Sequence, residues 1–261
     1  DIIHVYTNMY NNYKEYVNNV NASNNNFDFK TNPQYSAILE HVSQPLGIQY
    51  LDNIMTTIED CFPEVNIDHV IEYAKVNDTH GKPKTYTFHV VDKMFDCSPT
   101  SLRYILHALL ILKQIKSCGS TKIVEVGCGY GGLYLAICYF SKIVSLTIDK
   151  YYIIDLPEIN KLIKKYLDYN SDYATIDFDV KSAYTYGTDI KEDDLFFISN
   201  YCFTEIDEIH RRNYVDMLFP KVNHGFITWQ TIFGLELSKI KIINKKVQKV
   251  IEEFPQTAPS D

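Results

Sequence analysis

The chain has 261 residues, of which 46% are hydrophobic and 22% are charged, and its formal net charge is −8. Such a composition is typical of a soluble globular protein with a sizeable core. An acidic chain is a poor match for a nucleic-acid backbone, which needs a basic surface, so we expect no nucleic-acid partner. The longest strongly apolar run, YILHALLILKQI, is too short to span a bilayer. No signal peptide is visible, and we expect no membrane partner.

The cysteines are scattered along the chain and form no C-x-x-C pair. They are Cys61, Cys97, Cys118, Cys128, Cys138 and Cys202. This pattern favours free thiols in a reducing compartment over disulfides, which predicts a cytoplasmic location. The sequence leaves the oligomeric state open, and a homo-oligomer is compatible with it.

The first part of the chain, residues 1–95, is predicted to be a mainly helical region that caps the substrate or forms an oligomer contact. The asparagine cluster NNVNASNNNFDF at 18–29 is typical of a loop. Residues 35–75 have the apolar spacing of short helices that are broken by prolines. The alternating segment KTYTFHVV at 84–91 predicts a short strand. The second part, residues 96–261, is predicted to be the cofactor-binding domain.

A regular alternation of helices and strands begins at Ser98. Ser98 and Pro99 are N-terminal signals for a helix that ends at Gly119. A strand at 122–127, a glycine-rich loop and a helix at 133–140 follow. Further strands are predicted at 151–156, 173–180, 194–200 and 224–230, with helices at 157–167 and 204–219, the latter capped by Thr204 with Asp207 three residues on.

Strands that alternate with helices at this interval predict an α/β fold, a Rossmann-like doubly wound parallel sheet. Right-handed crossovers place the loops after each strand along one rim of such a sheet, where ligands bind.

The loop KIVEVGCGYGG at 122–132 is compatible with two kinds of ligand. Gly127, Gly129 and Gly132 have the G-x-G-x-x-G spacing of a dinucleotide site. Read together with Glu125 and Gly131, the same loop matches the E-x-G-x-G-x-G pattern of S-adenosylmethionine sites. A carboxylate would repel a pyrophosphate, whereas it attracts a sulfonium and an ammonium group. Glu125 therefore favours S-adenosylmethionine over a nicotinamide dinucleotide.

The predicted cofactor contacts lie on the loops after the strands. Asp155, at the end of the second strand, is expected to hold the ribose hydroxyls, and Ser182 and Ala183 to lie near the adenine. Arg103 is a candidate for the methionine carboxylate, with simple exposure on a helix surface as the alternative. The full predicted set is Arg103, Glu125, Gly127, Cys128, Gly129, Gly131, Asp155, Leu156, Ser182, Ala183, Asn200 and Tyr201.

Two longer stretches carry a family resemblance. YYIIDLPEINKLIKKYL and LFFISNYCFTEIDEIHRRNYVDMLFP resemble segments of the sugar O-methyltransferase family, and S-N-Y-C-F-T-E is the family-specific block. The resemblance covers roughly residues 96–230. It implies a class I methyltransferase that uses S-adenosylmethionine, with a seven-stranded sheet closed by an antiparallel last strand. Residues 247–261 do not supply an evident last strand, so that edge of the sheet is left open.

Transfer of a methyl group to a sugar hydroxyl requires alignment of the acceptor and removal of its proton. Glu205, in the family-like block, is the first candidate for the base; the alternative is an ordinary acid in the first turn of a helix. His210, about 140° around the same predicted helix, is the second candidate. No compact acidic triad calls for Mg²⁺, so metal dependence is left open.

We therefore predict an S-adenosylmethionine-dependent O-methyltransferase that acts on a sugar hydroxyl, for example of a nucleotide-sugar. The alternatives are a methyltransferase for another small molecule or a protein, a non-catalytic binding module with this fold, and an NAD-linked oxidoreductase.

Overall fold

The computed structural model describes residues 2–22, 27–230 and 249–256. Helices and a small hairpin make up the N-terminal part of the chain. They are α1 (Ile2–Ala22), α2 (Pro33–Leu39), α3 (Gln44–Cys61), α4 (Ile67–Asp78), β1 (Tyr86–Val90) and β2 (Lys93–Cys97), with β1 and β2 antiparallel. The predicted short helices at 35–75 and the strand at 84–91 are present.

A five-stranded parallel sheet with flanking helices follows. Its elements are α5 (Pro99–Cys118), β3 (Lys122–Val126), α6 (Gly132–Ile143), β4 (Lys150–Asp155), α7 (Pro157–Tyr169), β5 (Phe178–Ser182), β6 (Leu195–Asn200), α8 (Cys202–Glu205), α9 (Glu208–Met217) and β7 (Val222–Thr228).

The strand order is β5-β4-β3-β6-β7, and all four pairings are parallel. The chain starts the sheet at its centre, extends it through β4 and β5, and then returns to the other side of β3. The order therefore reverses between β3 and β6, and the carboxyl ends of these two strands frame the crevice where open α/β sheets bind ligands. The prediction of a doubly wound α/β fold is confirmed.

The capping signals of α5 operate as the sequence predicts. The Ser98 hydroxyl accepts a hydrogen bond from the amide of Thr100 at 3.2 Å, and Pro99 occupies the first turn. Gly119 ends the helix with φ 72°, in the left-handed region that glycine adopts without strain. The helix is buried along most of its length, because it packs against both α3 and α6.

Helix α7 also follows its sequence pattern. Its predicted apolar face is buried against the core: Ile159, Leu162, Ile163, Tyr166 and Leu167. On the other side of α7 lies α1, whose Asn21 side-chain amide donates to the Glu158 carbonyl at 3.0 Å. The N-terminal helices and the sheet thus share one continuous core. The division into regions 1–95 and 96–261 stays a prediction.

Three predicted elements differ from the structure. The predicted helix 204–219 is two helices, because Ile206 is extended and interrupts it between α8 and α9. Thr204 lies inside α8 and its hydroxyl donates to the Tyr201 carbonyl, so it is not a helix cap. The third strand of the sheet is Phe178–Ser182, about five residues later than predicted at its start.

Two further predictions concern the asparagine-rich segment near the start of the chain and the last strand of the sheet. Helix α1 continues to Ala22, so the first part of the asparagine-rich segment is helical rather than a loop. Residues 23–26 lie outside the described residues. The predicted antiparallel last strand would follow β7. Residues 231–248, which come next in the chain, also lie outside the described residues. Among the helices that the structure describes, none combines the length and the hydropathy that crossing a bilayer requires.

Candidate functional site

The glycine loop connects β3 to α6 at the centre of the sheet. Gly127, Gly129 and Gly131 have φ values of 80°, 59° and 93°, all in the left-handed region. A side chain at Gly127 would overlap the side chain of Cys202, which begins α8 after β6. Glycine is therefore required there both by the backbone conformation and by the close approach of the chain that follows β6.

The carboxylate of Asp155 holds the loop from the end of β4. One oxygen, Oδ2, accepts a hydrogen bond from the amide of Cys128 at 2.7 Å, and Oδ1 accepts one from the amide of Leu156 at 2.8 Å. The amide of Gly129 also donates to this carboxylate. Burial raises the pKa of Asp155 to about 6, and these amides oppose the rise. The N–H groups of the loop are thus directed at a carboxylate of the same chain.

Glu125 is buried beneath the loop and does not face an open rim. It is 3% exposed, and its Oε2 accepts a hydrogen bond from the Tyr151 hydroxyl at 2.7 Å. Burial raises the pKa of Glu125 to about 8, so this carboxyl is largely protonated at neutral pH. Glu125 therefore carries little negative charge at neutral pH. It distinguishes a sulfonium from a pyrophosphate less strongly than the sequence predicts.

Aromatic side chains cover the outer side of the loop. The position of a Cβ at Gly129 lies 3.3 Å from the Tyr104 hydroxyl and 3.5 Å from a methyl carbon of Leu39. Tyr13 of α1 is 6% exposed, and burial, followed by the charge of Asp155, raises the pKa of its hydroxyl. Helix α1 is therefore part of the cover over this loop, which agrees with the cap predicted for residues 1–95 but was not assigned to a particular helix.

Arg103 lies at the same rim and is buried, so its predicted alternative of surface exposure is wrong. It is 5% exposed, and its guanidinium carbon lies 5.9 Å from the ring of Tyr104 and 5.8 Å from that of Tyr201. Tyr201 follows β6 with φ 67° and ψ −38°, a conformation that a non-glycine residue adopts only with strain.

The other predicted contacts also lie at the carboxyl ends of the strands. The hydroxyl of Ser182 caps a short 3₁₀ turn by accepting from the amide of Tyr184 at 3.3 Å. The carbonyl of Ala183 accepts from the Tyr214 hydroxyl at 3.1 Å. Asn200 accepts from the Thr228 hydroxyl at 2.7 Å. Each of these groups has a partner within the fold.

Glu205 is a half-buried acid at the end of α8, which follows β6 at this rim. Its carboxylate accepts hydrogen bonds from the Tyr10 hydroxyl of α1 and from the side-chain amide of Gln230, which follows β7. Burial raises the pKa of Glu205, and the two hydrogen bonds oppose the rise. Tyr10 and Gln230 are not among the site residues predicted from the sequence. For Gln230 a signal existed, because it is the last residue of the fifth predicted strand, 224–230, at the ligand rim.

The neighbour of Gln230 is Trp229, the single tryptophan of the chain. Its ring centroid lies 6.1 Å from that of Phe203, in the turn of α8 that leads to Glu205. Trp229 thus belongs to the wall beside the Glu205 carboxylate.

His210 belongs to a different group of side chains. Its Nδ1 is 2.7 Å from the Tyr186 hydroxyl, and the two rings are stacked at 5.8 Å. Because α8 and α9 are separate helices, the predicted angle of 140° between Glu205 and His210 does not apply. The structure gives Glu205 and His210 different partners and does not bring them together by hydrogen bonding.

Within residues 2–22, 27–230 and 249–256, no group of three or more His, Cys, Asp or Glu side chains is arranged to hold a metal ion. Asp177, just before β5, and Asp179, within β5, instead pair with Lys150 at 2.9 and 3.3 Å. All six cysteines are free thiols, as the sequence predicts.

Comparisons with known proteins gave matches among solved structures only. No protein-family model matches the sequence, and no curated protein matches it. Among solved structures, the methyltransferase domain of bacterial CtHen1-CN is 13% identical, with a TM-score of 0.38 over 46% of this chain and 63% of that one. An O-methyltransferase family protein from Burkholderia thailandensis is also 13% identical, with a TM-score of 0.30 over 46% of this chain and 37% of that one.

Coclaurine N-methyltransferase, bound to N-methylheliamine and SAH, is 11% identical, with a TM-score of 0.34 over 70% of this chain and 53% of that one. In all three cases the chain spans less than two thirds of the matched protein's length. Scores this low do not assign an activity. The fold class therefore rests on the strand order itself: a Rossmann-like α/β sheet with a glycine loop at its switch point.

Proposed function

We propose that the chain is an S-adenosylmethionine-dependent methyltransferase that binds the methyl donor over the glycine loop between β3 and α6. The observation that carries this proposal is the engagement of the loop amides by Asp155. A dinucleotide site leaves these N–H groups and the following helix N-terminus free for a pyrophosphate. Here Cys128 and Gly129 donate to a carboxylate instead.

The N-terminus of α6 supports the same conclusion. A Cβ at Gly132 would lie 2.9 Å from Tyr130, 3.0 Å from Tyr104 and 3.2 Å from the side-chain oxygen of Asn77. These side chains cover the helix end where a pyrophosphate would have to approach. An adenosyl ligand without phosphates needs neither the loop amides nor this helix end.

The residues fit such a ligand in one further respect. Each oxygen of a carboxylate has two acceptor sites, so Asp155 retains capacity after it has accepted its backbone amides. A pair of ribose hydroxyls could donate to these remaining sites. Bound S-adenosylmethionine would supply an electrophilic methyl group; the chain would supply its position and the removal of a proton.

Glu205 is the proposed proton acceptor. Tyr10 and Gln230 hold its carboxylate in place by hydrogen bonds, and burial raises its pKa, which makes it a stronger base than an exposed glutamate. An acceptor hydroxyl placed against this carboxylate would lose its proton to Glu205 as the oxygen bonds to the methyl carbon and the bond between that carbon and the sulfonium sulfur breaks. His210 is retained as a weaker candidate.

A sugar hydroxyl, for example on a nucleotide-sugar, is the proposed acceptor. Its support is the S-N-Y-C-F-T-E block at 199–205, which contains Glu205. Another small molecule or a protein side chain is the alternative acceptor. A non-catalytic module is less well supported, because a buried acid with two donors is not required for binding alone.

Calorimetric titration tests the donor site. We expect S-adenosylhomocysteine (SAH) to bind and NAD not to bind. The variant Asp155→Asn should lose roughly tenfold or more in SAH affinity, because an amide nitrogen cannot accept from the loop. Asp177→Asn is the matched control at an exposed position paired with Lys150. Binding of NAD in preference to SAH would overturn the proposal.

The acceptor needs a separate experiment. A panel of nucleotide-sugars, incubated with labelled S-adenosylmethionine with and without EDTA, reports both acceptor class and metal dependence. Methylation of a sugar hydroxyl is the expected result. Transfer to nitrogen acceptors or to proteins alone would replace the sugar with one of the alternatives.

A further inference from the structure

The guanidinium of Arg103 is buried with few partners of its own. At the limit of hydrogen-bonding distance, Nη2 contacts the carbonyl of Leu39 at 3.5 Å. Within the part of the chain that the structure describes, no carboxylate lies within 4.0 Å of this guanidinium. A guanidinium has five N–H donors, and burying a charge is unfavourable unless it is paired. The space beside this guanidinium therefore suits an anion, and it is called the anion seat below.

A carboxylate from the C-terminal segment already lies at the edge of this seat. Glu253 accepts a hydrogen bond from the Tyr201 hydroxyl, and its Oε1 is 4.0 Å from Nε2 of His107. Tyr201 and Arg103 both lower the pKa of Glu253, against the larger effect of burial. Glu253 thus shares its surroundings with Arg103 without forming an ion pair with it.

Hydrogen bonds from Tyr201 and Asn53 connect the segment that carries Glu253 to the rest of the fold. The side-chain amide of Asn53, in α3, donates to the carbonyl of Phe254 at 2.8 Å. An open cleft of about 380 Å³ is lined by Glu252, Glu253, Phe254 and Gln256. Glu253 itself is 29% exposed, so its carboxylate can be withdrawn into solvent.

The seat also lies beside the proposed donor site. Arg103 is next to Tyr104, whose hydroxyl borders Gly129 of the glycine loop. On its other side is Tyr201, which follows β6 at the switch point of the sheet. A ligand lying over the glycine loop could therefore extend an anionic group toward Arg103.

We propose that Arg103 and Tyr201 form the seat for the carboxylate in the amino-acid part of the methyl donor, and that Glu253 competes for this seat from within the chain. The inference rests on the proposed function. When the donor binds, its carboxylate takes the place beside Arg103 and Glu253 moves out into the cleft. The acidic segment 249–256 then sets the apparent affinity of the donor site.

The test compares two ligands that differ in the relevant group. SAH carries the amino-acid carboxylate, whereas 5′-methylthioadenosine has the same adenosyl part without it. Calorimetric titration of Glu253→Gln should show tighter binding of SAH and unchanged binding of methylthioadenosine. If Glu253 occupies the seat about nine tenths of the time, the gain is about tenfold. Glu252→Gln, a neutralised neighbour in the same cleft, is the matched control and should behave like the wild type.

A second variant checks that the effect acts through Arg103. In Arg103→Lys the added substitution Glu253→Gln should give a smaller gain in SAH affinity, because lysine offers a point charge in place of a fork of donors. Thermal unfolding of each variant verifies that it is folded before the titration is interpreted.

The outcomes separate the two proposals. If the wild type binds SAH but Glu253→Gln binds it no more tightly than Glu252→Gln does, the competition is overturned and the proposed function stands. An equal gain for SAH and methylthioadenosine also overturns it, because Glu253 would then cover the adenosyl region. If no variant binds SAH, the proposed function fails and this inference fails with it.

Discussion

Tyr10 of α1 donates a hydrogen bond to Glu205 of α8, across 195 positions of sequence. Burial and the adjacent Glu205 carboxylate both raise the pKa of Tyr10, so the phenol remains a neutral donor over the accessible pH range. The first helix of the chain therefore completes the surroundings of an acid at the carboxyl end of the sheet. An N-terminal element thereby takes part in the candidate site.

The substitution Glu205→Gln should abolish most methyl transfer while leaving donor binding intact. Removing a general base lowers turnover by roughly 10²–10⁴-fold. Because Glu205 contacts Tyr10 and Gln230 and not the glycine loop, SAH affinity should change by less than about twofold. Single-turnover kinetics and calorimetry measure the two effects separately. Unchanged turnover would exclude Glu205 as the base.

Tyr10→Phe should shift the pH dependence of turnover. The Tyr10 hydrogen bond favours the charged carboxylate and lowers the pKa of Glu205, against the larger effect of burial. Without it, the pKa of Glu205 rises further, so activity should be lost at a higher pH on the acidic side of the profile. Tyr16→Phe, a substitution on the same helix, is the control. A profile of Tyr10→Phe that coincides with the wild type would contradict the assigned contact.

Glu125 should make the protein less stable as the pH rises. Its pKa is raised from 4.5 to about 8, so between these values the folded protein retains a proton that the unfolded chain has released. Stability therefore falls as the pH increases from about 4.5 to about 8, by roughly 2–4 kcal/mol for this group. Glu125→Gln should remove that slope, since an amide can still accept from Tyr151.

Urea unfolding at several pH values measures this slope. Glu72→Gln is the matched control, because Glu72 also accepts from a tyrosine hydroxyl, that of Tyr139, but at the surface. An equal slope in the wild type and in Glu125→Gln would show that another group carries the pH dependence.

Two glycines with similar backbone angles should respond differently to alanine. Gly119 and Gly127 have φ values of 72° and 80°, so both substitutions introduce left-handed strain of roughly 1–2 kcal/mol. Nothing lies within 4 Å of a Cβ at Gly119, whereas a Cβ at Gly127 overlaps Cys202. Overpacking adds about 1–3 kcal/mol to the destabilisation by Gly127→Ala. Equal free energies of unfolding for the two variants would contradict the close approach.

The sequence predicts best those elements whose signals are local. Helix α5 carries its N-cap, its first-turn proline and its C-terminal glycine within the chain, and its bounds follow from them. The strand and loop at 122–132 are likewise defined by adjacent residues. Where the signals compete, the prediction fails: Thr204 and Asp207 have the spacing of a capping box, but the extended Ile206 divides the segment into two helices.

The chemistry of the candidate site depends on contacts that the sequence does not encode locally. Asp155 lies at the end of a strand, as the sequence predicts. The hydrogen bond that it accepts from the Cys128 amide depends instead on the geometry of the glycine loop. The raised pKa of Glu125 follows from burial, which a motif does not reveal. The approach of Glu253 to Tyr201 links positions 52 residues apart. Such pairings arise only when the complete fold brings distant elements together.

The position of Trp229 has a practical consequence. Because the chain contains one tryptophan, its emission reports on a single place, the wall formed with Phe203 next to Gln230 and Glu205. An acceptor that enters beside Glu205 would change the polarity around that indole. The protein therefore contains an intrinsic fluorophore at its proposed acceptor site, and acceptor binding can be followed without a label.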